Sequence, residues 1–431
     1  MPFGTAVKLE PRAGPSRSKA VATRQICAGS SVLSCEALCT VLLPEEKGQR
    51  CDTCNSKSVQ LQKCSGCAAY FYCSTVCQGL QWRSHHKKIC KRFNKYTSSL
   101  GFQALAPHEK LDALLLSHLV AQLDGVSVDS DLVSSITSLL PGPIEIASPP
   151  IAFSSTHIRA PLVRDIYSRF GNNNFVIHSH LTTFGHGIFP RASRMFNHSC
   201  LPNVAAKYIL SPSTFPKMEV VALRDISEGE ELCLPYLDPA LLQSRQQIFQ
   251  LSYGFECRCD SCLFLEKIGP IPKPPDDQVE RDKLALDLMQ FMQATPYDGL
   301  TLSTCSIPFP SDLRPVFHES FIAHVAEKFR NASHDGLYST ALNSGLILLA
   351  LYRLIYPPNY PQIGMHLLEL AKTSWNTTVL EDPASLAADR AKRESRAYLD
   401  EAKAVLQTLG PEGDLDGPLV EIDTLEQLLR A

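Results

Sequence analysis

Twelve residues of this 431-residue chain have the types and spacings of metal ligands. Cys51-x2-Cys54, Cys64-x2-Cys67, Cys73-x3-Cys77 and a final His-Cys pair place eight of them between residues 51 and 90, enough for two tetrahedral zinc ions. A segment of about 40 residues buries too little apolar surface to fold alone, so metal binding must supply most of its stability. His85 and His86 both precede Cys90. His86 stands at i, i+4 from the cysteine, on one helix face with it, while His85 at i, i+5 is rotated away, which favours His86. Further along, Cys257-x-Cys259-x2-Cys262 is one ligand short of a closed site, and Cys200 supplies the fourth. A zinc ion joining these four carries Asn197 and His198 next to Tyr236, Tyr253 and Phe255, although the segments are far apart in the chain.

Composition narrows the setting. Sixteen cysteines in a long chain without an apolar leader, most of them bunched at ligand spacings, indicate zinc in a reducing compartment rather than disulfides. Lys plus Arg number 41 against 44 Asp plus Glu, a net charge of −3, which argues against a general nucleic-acid coat. The basic run Lys87, Lys88, Lys91, Arg92 and Lys95 is expected to be a solvated face, with nucleic-acid contact weak or absent. The longest apolar run, residues 346–352, falls short of the roughly 18 residues of a membrane span. The expectation is a soluble, non-secreted monomer in the cytoplasm, the nucleus or both.

Elements must hold these ligands in place. Residues 1–18 are rich in Pro, Gly and Ser and are expected to be frayed, and two short strands joined by a glycine turn at Gly29 follow from Ala20. Helical and loop signals run from about 94 to 150, with a helix through Lys110 to Leu116 and a Pro-rich loop near 141–150. Strand patterns return at Phe175 to Ile177, Val204 to Tyr208 and Met218 to Leu223. A second Pro-rich linker, residues 269–275, precedes a helical tail. There Leu284, Leu288 and Phe291, then Phe317, Phe321 and Val325, each mark one helix face. A packed bundle is the simpler reading of the tail, and a repeat-type groove for a peptide is the sharper one.

Two sets of residues carry a resemblance. Tyr72-Cys73, Cys77-Gln78, Trp82 and the His-Cys pair resemble the MYND zinc finger, a family that binds proline-rich peptides, with Trp82 eight residues before Cys90 where most members have seven. Asn197-His198-Ser199-Cys200-x-Pro202-Asn203, Glu228-Gly229-Glu230-Glu231-Leu232-x3-Tyr236 and Phe255-Glu256-Cys257-x-Cys259-x2-Cys262 resemble the SET domain with its post-SET zinc segment. Together they resemble the SET and MYND family of protein-lysine methyltransferases, over about residues 18–265, and weakly in the tail at Tyr356-Pro-Pro-x-Tyr360-Pro-x2-Gly364.

The resemblance implies an α+β fold. A β-rich SET domain (residues 1–50 and 171–240) is split by the finger (51–90) and a helical insert (91–170), and is followed by the post-SET segment (241–268) and a C-terminal helical, repeat-like domain (277–431). It implies S-adenosylmethionine as cofactor, three structural zinc ions and a protein substrate with a target lysine. Asn173, Asn197, His198, Tyr236 and Phe255 would contact the cofactor, Phe255 by stacking on its adenine. Tyr236 would face the transferring methyl and Tyr253 would line the lysine channel. That chemistry needs a neutral amine, which an apolar aromatic channel beside a sulfonium favours by desolvation and like-charge repulsion. One departure stands out. Where family members carry a Gly-x-Gly turn, this chain has Ser16-Arg17-Ser18-Lys19-Ala20, whose side chains restrict close backbone approach to the cofactor, although Arg17 or Lys19 offers a partner for its carboxylate. The competing function is a catalytically weak adaptor whose finger grips proline-rich peptides. A DNA-reading zinc protein is poorly supported, since no two-cysteine, two-histidine finger spacing is present.

Overall fold

The computed structural model describes residues 6–11, 17–127, 129–144, 147–153, 160–294, 309–382 and 384–430. Its β-rich part is assembled from small sheets whose apolar residues face one core. Ser31–Glu36 pairs with Lys217–Ala222, which pairs with Val204–Ile209, all antiparallel, turning Leu33, Met218, Val220 and Val204 inward. Cys39–Leu42 pairs with Thr182–Ile188, itself paired with Asn174–Ser179. The expected strands after Ala20 form, with Gly29 at φ +79°, but they pair with other partners and not with each other.

Of the N-terminal stretch expected to be frayed, residues 1–5 and 12–16 lie outside the described residues, and the part between them is corrected. Val7–Glu10 is a strand antiparallel to Lys19–Ala22, with Val7 buried, because its apolar side chains find the same core. A short parallel pairing of Asn197–His198 with Cys233–Leu234 brings two distant segments side by side at the edge of this core.

The finger comprises the hairpin Gln62–Lys63 with Phe71–Tyr72, the helix Thr75–Gln81 capped by Ser74, a π-helical turn Trp82–His86 and the helix Lys87–Thr97. Its apolar residues merge with those of the helix Pro107–Leu123, which is buried on most sides. His118 on that helix fastens the two, with Nε2 2.7 Å from Tyr70 Oη and Nδ1 2.9 Å from the Thr40 carbonyl. One π turn is the usual way a helix absorbs a single inserted residue. It falls between Trp82 and Cys90, where the sequence carries one residue more than the family spacing.

The tail is helical throughout its described part, from Gln278–Ala294 to Pro418–Arg430, around a separate apolar core. The face read across Phe317, Phe321 and Val325 is broken: a 3-10 helix Ser311–Phe317 ends at His318, which caps Glu319–His334, yet all three side chains are buried. By length and composition Tyr338–Ile355 is apolar enough to cross a membrane, but Leu348, Leu351 and Leu354 pack in the tail core. The tail is tied back at several places. Tyr356 donates to Asp238 Oδ1 at 2.8 Å, and Asp414 receives the Arg50 guanidinium through both oxygens at 2.9 and 2.7 Å.

Candidate active site and zinc centres

The twelve proposed ligands form three clusters of four, the ligating atoms of each lying within 4.8 Å of one another. Cys51, Cys54, Cys73 and Cys77 make one, and Cys64, Cys67, His86 and Cys90 the second, so the finger's cysteine pairs interleave. The third joins Cys200 to Cys257, Cys259 and Cys262. A tetrahedral zinc with Zn–S near 2.3 Å requires sulfurs about 3.8 Å apart. Cys54 to Cys73 and Cys64 to Cys90 measure 3.7 Å, Cys73 to Cys77 3.6 Å, and Cys200 to Cys262 and Cys257 3.7 and 4.0 Å. These separations fit zinc and exclude disulfides, whose sulfurs lie about 2.05 Å apart.

His86 takes the ligand position, its Nε2 3.3 Å from Cys64 Sγ and 3.6 Å from Cys67 Sγ. His85 turns the other way and stacks on His118 with ring centroids 4.3 Å apart. Gly66 gives the Cys64–Cys67 turn its room, since a Cβ there would lie 2.7 Å from Cys90 Sγ. In the third cluster, contacts to Cys200 hold the Cys257 and Cys259 thiols below their ordinary range while the contact with Cys257 pushes Cys200 above it, so the four thiols share protons that a divalent cation would displace.

That third cluster is wired to Tyr236. The Tyr236 backbone N–H donates to His198 Nδ1 at 3.0 Å, so Nε2 carries the ring proton and presents it to Cys200 Sγ at 3.2 Å. The side chain of His198 is therefore occupied as a strut. Asn197 donates from Nδ2 to the Ser18 carbonyl at 3.1 Å and to Glu231 Oε1 at 2.8 Å, pinning the segment that stands in place of the glycine turn. Asn203 ties the same region down, donating to Glu230 and to the Glu231 carbonyl.

The Tyr236 hydroxyl donates to the Phe196 carbonyl at 2.7 Å and accepts from Arg17 Nη1 at 2.9 Å. Burial pushes the phenol pKa up while the guanidinium opposes it. Aromatic rings wall the space beside it: Tyr253 at 5.2 Å and Phe255 at 6.4 Å between centroids. Burial pushes the Tyr253 phenol up to about 12, so it is neutral at any physiological pH. This is a half-buried aromatic cluster with one hydroxyl oriented by two hydrogen bonds, surroundings that favour the neutral form of a lysine amine.

The structure thus brings Asn197, His198, Tyr236, Tyr253 and Phe255 together around the Cys200 cluster. Asn173 is buried on its own element, donating to the Leu140 and Arg169 carbonyls at 3.2 and 2.8 Å. Lys19 pairs with Glu10 at 3.5 Å, leaving Arg17 as the cation that reaches the pocket. Sequence reading missed Phe249, which is fully buried, stacks on Phe255 at 5.1 Å and touches His198 at 4.3 Å. It also missed Gln246, whose amide both donates to the Cys257 carbonyl at 2.7 Å and accepts from the Cys257 N–H at 3.1 Å. Neither has a spacing signal, though both lie on the short helical stretch just before the cysteine trio.

A sequence model of the SET domain matches residues 19–237, half of the chain. Among curated proteins, the chain is 29% identical over 303 residues to N-lysine methyltransferase SMYD2 of Gallus gallus, covering 64% of this chain and 66% of that protein. It is 28% identical to SMYD2-B of Xenopus laevis over 305 residues, 65% and 68% of the two chains, and 29% identical to SMYD2 of Homo sapiens over 283 residues, 59% and 61%. The matched part thus spans about two thirds of these relatives' length. With the interleaved finger, the Cys200 cluster and the helical tail in place, the chain belongs to the SET-domain family, among its SET and MYND members.

Proposed function

We propose that the protein transfers a methyl group from S-adenosylmethionine to the ε-amine of a lysine in a protein substrate. The observation that carries this reading is the convergence of the Tyr236 hydroxyl, Asn197 and three aromatic rings on one zinc-type cluster drawn from segments far apart in sequence. The cofactor supplies an electrophilic methyl on a sulfonium. Every other requirement falls to the chain's own side chains. Tyr253 and Phe255 exclude water from the incoming lysine and so favour its neutral form. The Tyr236 oxygen, fixed by the Phe196 carbonyl and by its own backbone bond to His198, orients the reacting groups rather than exchanging protons. Asn197, the backbone at His198 and the face of Phe255 would hold the cofactor, and Asn173 would join them only by giving up its bonds to the Leu140 and Arg169 carbonyls. The three zinc ions would be structural, since each cluster closes with four protein ligands and leaves no open position.

Tyr236→Phe tests this directly. Methyl transfer to a lysine peptide should fall about 10²-fold, the scale of losing one positioned polar group, with cofactor affinity by calorimetry unchanged within about threefold. Equal activity in the two proteins removes Tyr236 from the mechanism.

One observation favours the adaptor reading. Arg17 sits on the Tyr236 hydroxyl and on the Ser193 carbonyl, in the segment where glycines would leave room for a ligand. On that reading the finger binds proline-rich peptides through its exposed apolar residues Trp82 and Val76 and the SET half is scaffold. Absence of calorimetric heat with millimolar S-adenosylmethionine, together with binding of a proline-rich peptide, decides for the adaptor. The remaining proposals are a monomeric state and residence in cytoplasm, nucleus or both.

A further inference from the structure

The helical stretch that carries the aromatic wall is clasped from the tail. It runs through Arg245–Ile248 and the π turn Phe249–Tyr253, and it bears Gln246, which bonds Cys257, Phe249, which stacks on Phe255, and Tyr253. One flank is held by the Cys200 cluster, through Gln246. Its start is not capped from within, because the Ser244 side chain accepts no bond from the first turn. A helix start leaves amides without intrahelical acceptors, so an oxygen from elsewhere must take them.

That oxygen comes from 75 residues downstream. Glu319 opens the tail helix Glu319–His334, and its Oε1 accepts from the Gln243 N–H at 2.8 Å, the Ser244 N–H at 2.9 Å and the Ser244 hydroxyl at 3.0 Å. The bond is returned. The Glu319 N–H, which has no acceptor within its own helix, donates to Gln243 Oε1 at 3.1 Å. Each helix start thus supplies the acceptor that the other lacks, and the carboxylate lies at the N-terminal end of both, where a negative charge is favoured. Leu242, just upstream, is buried in the tail's own apolar cluster.

We infer that Glu319, although it belongs to the tail, is a positioning residue for the lysine channel, setting where the ring of Tyr253 stands; the inference rests on the methyltransferase reading above. Tyr236 does not need this help, since the Phe196 carbonyl, Arg17 and His198 hold it from other segments. Tyr253 does. Among the described residues its hydroxyl makes no hydrogen bond, and its ring meets only Tyr236, Phe249 and Phe255, at 5.2, 6.3 and 6.1 Å between centroids, so the backbone of the helical stretch decides its place. Releasing the start of that stretch lets the channel wall shift while the Tyr236 oxygen stays where it is. The loss then falls on holding the lysine rather than on the transfer step, which is a rise in KM at constant kcat.

Steady-state transfer to a capped peptide with one central lysine, together with amide hydrogen exchange, tests this on the zinc-loaded full chain. Glu319→Ala should raise the peptide KM about five- to tenfold, the factor that one lost helix cap corresponds to, with kcat within about twofold. Amides of residues 243–253 should exchange about fivefold faster, while zinc content and the calorimetric affinity for S-adenosylmethionine stay as in the wild type. Glu319→Gln keeps the accepting oxygen and should restore KM to within about threefold. Glu327→Ala, exposed on the same helix, should change nothing. Gln243→Ala removes only the returned bond and replaces Glu319→Ala if that variant does not fold. An unchanged KM in Glu319→Ala overturns the inference, and faster exchange with an unchanged KM does so too, because the clasp is then structural alone. A wild type that transfers no methyl defeats the methyltransferase reading instead; the clasp is then judged by exchange and by anisotropy with the labelled peptide, where weaker binding by Glu319→Ala supports it and equal binding overturns it.

Discussion

The finger and the post-SET cluster use the same metal chemistry to different ends. In the finger every ligand falls between residues 51 and 90, and the interleaving of Cys51, Cys54, Cys73 and Cys77 with Cys64, Cys67, His86 and Cys90 ties a short segment to itself. In the third cluster Cys200 meets a trio more than fifty residues downstream, and the same histidine that touches Cys200 holds the backbone of Tyr236. The finger's two centres make a unit; the third builds a site. Losing either of the former should cost stability, whereas losing the latter should cost function.

The sharpest test of that contrast is to break each in turn. Cys200→Ser should release one of three zinc ions and lower cofactor affinity more than 100-fold while the finger keeps its metal, since structural zinc contributes about 10 kcal/mol or more to the segment it closes. Cys64→Ser should release a finger zinc and lower the thermal midpoint, because the finger shares its apolar cluster with the helix Pro107–Leu123, yet leave cofactor affinity within about threefold. Zinc content by atomic absorption and calorimetry with S-adenosylmethionine read both. If Cys64→Ser abolishes cofactor binding as fully as Cys200→Ser does, the division of labour is wrong.

A smaller effect sharpens the comparison through buried arginines. Arg50, at the root of the finger, is buried against carboxylates, Asp414 at 2.7 Å and Glu46 at 2.7 Å. Arg245 is buried as deeply but bonds neutral groups, the Pro239 carbonyl at 3.1 Å and Ser261 Oγ at 2.9 Å, and its Nε has no partner among the described residues. A buried guanidinium without a counter-charge is costly. The anion nearest to hand is the cluster itself: Ser261 lies between Cys259 and Cys262, Arg245 shares a cavity wall with Cys257 and Cys262, and four thiolates around one Zn2+ carry −2. Arg245→Met should therefore weaken zinc retention at this cluster by about 3 kcal/mol, roughly a hundredfold, and leave the finger's two ions in place. Chelator-driven zinc release checks it, and Arg50→Met, whose charge answers to carboxylates, should release zinc at the wild-type rate.

What the sequence revealed follows the same division. Metal ligation demands particular residue types at particular reach, so Cys200 could be assigned to a trio far downstream and His86 chosen over His85 from helix geometry alone. The Tyr236, Tyr253 and Phe255 wall was legible because it flanks those ligands. Arg17 on the Tyr236 hydroxyl was not, since a hydrogen bond between residues 219 apart leaves no periodic mark. Val7–Glu10 was hidden by its Pro- and Gly-rich surroundings, although pairing with Lys19–Ala22 outweighs that composition. The face running through Phe317 was drawn across an element boundary that only Pro315 and the His318 cap reveal.

The smallest expected effect concerns the extra residue between Trp82 and Cys90. An insertion into a helix that bears metal ligands shifts register by about 100°, which would carry His86 off the metal unless the backbone compensates. The π turn Trp82–His86 compensates, keeping His86 over Cys64 and Cys67 and ejecting His85 toward the helix Pro107–Leu123. There it stacks on His118, buried, with Nδ1 3.1 Å from Ser84 Oγ, and burial holds its pKa well below the ordinary histidine value, so it packs as a neutral ring. His85→Ala should thus leave three zinc ions bound and cost about 2 kcal/mol through the cavity beside His118, read as a shift in denaturant midpoint. His86→Ala should lose one ion. Deleting His85 restores the seven-residue spacing, and if the turn exists only to absorb that residue, the shortened finger should regain regular helix and hold its full zinc complement. Loss of a zinc on deletion would mean that the surrounding core has adapted to the π turn and now depends on it.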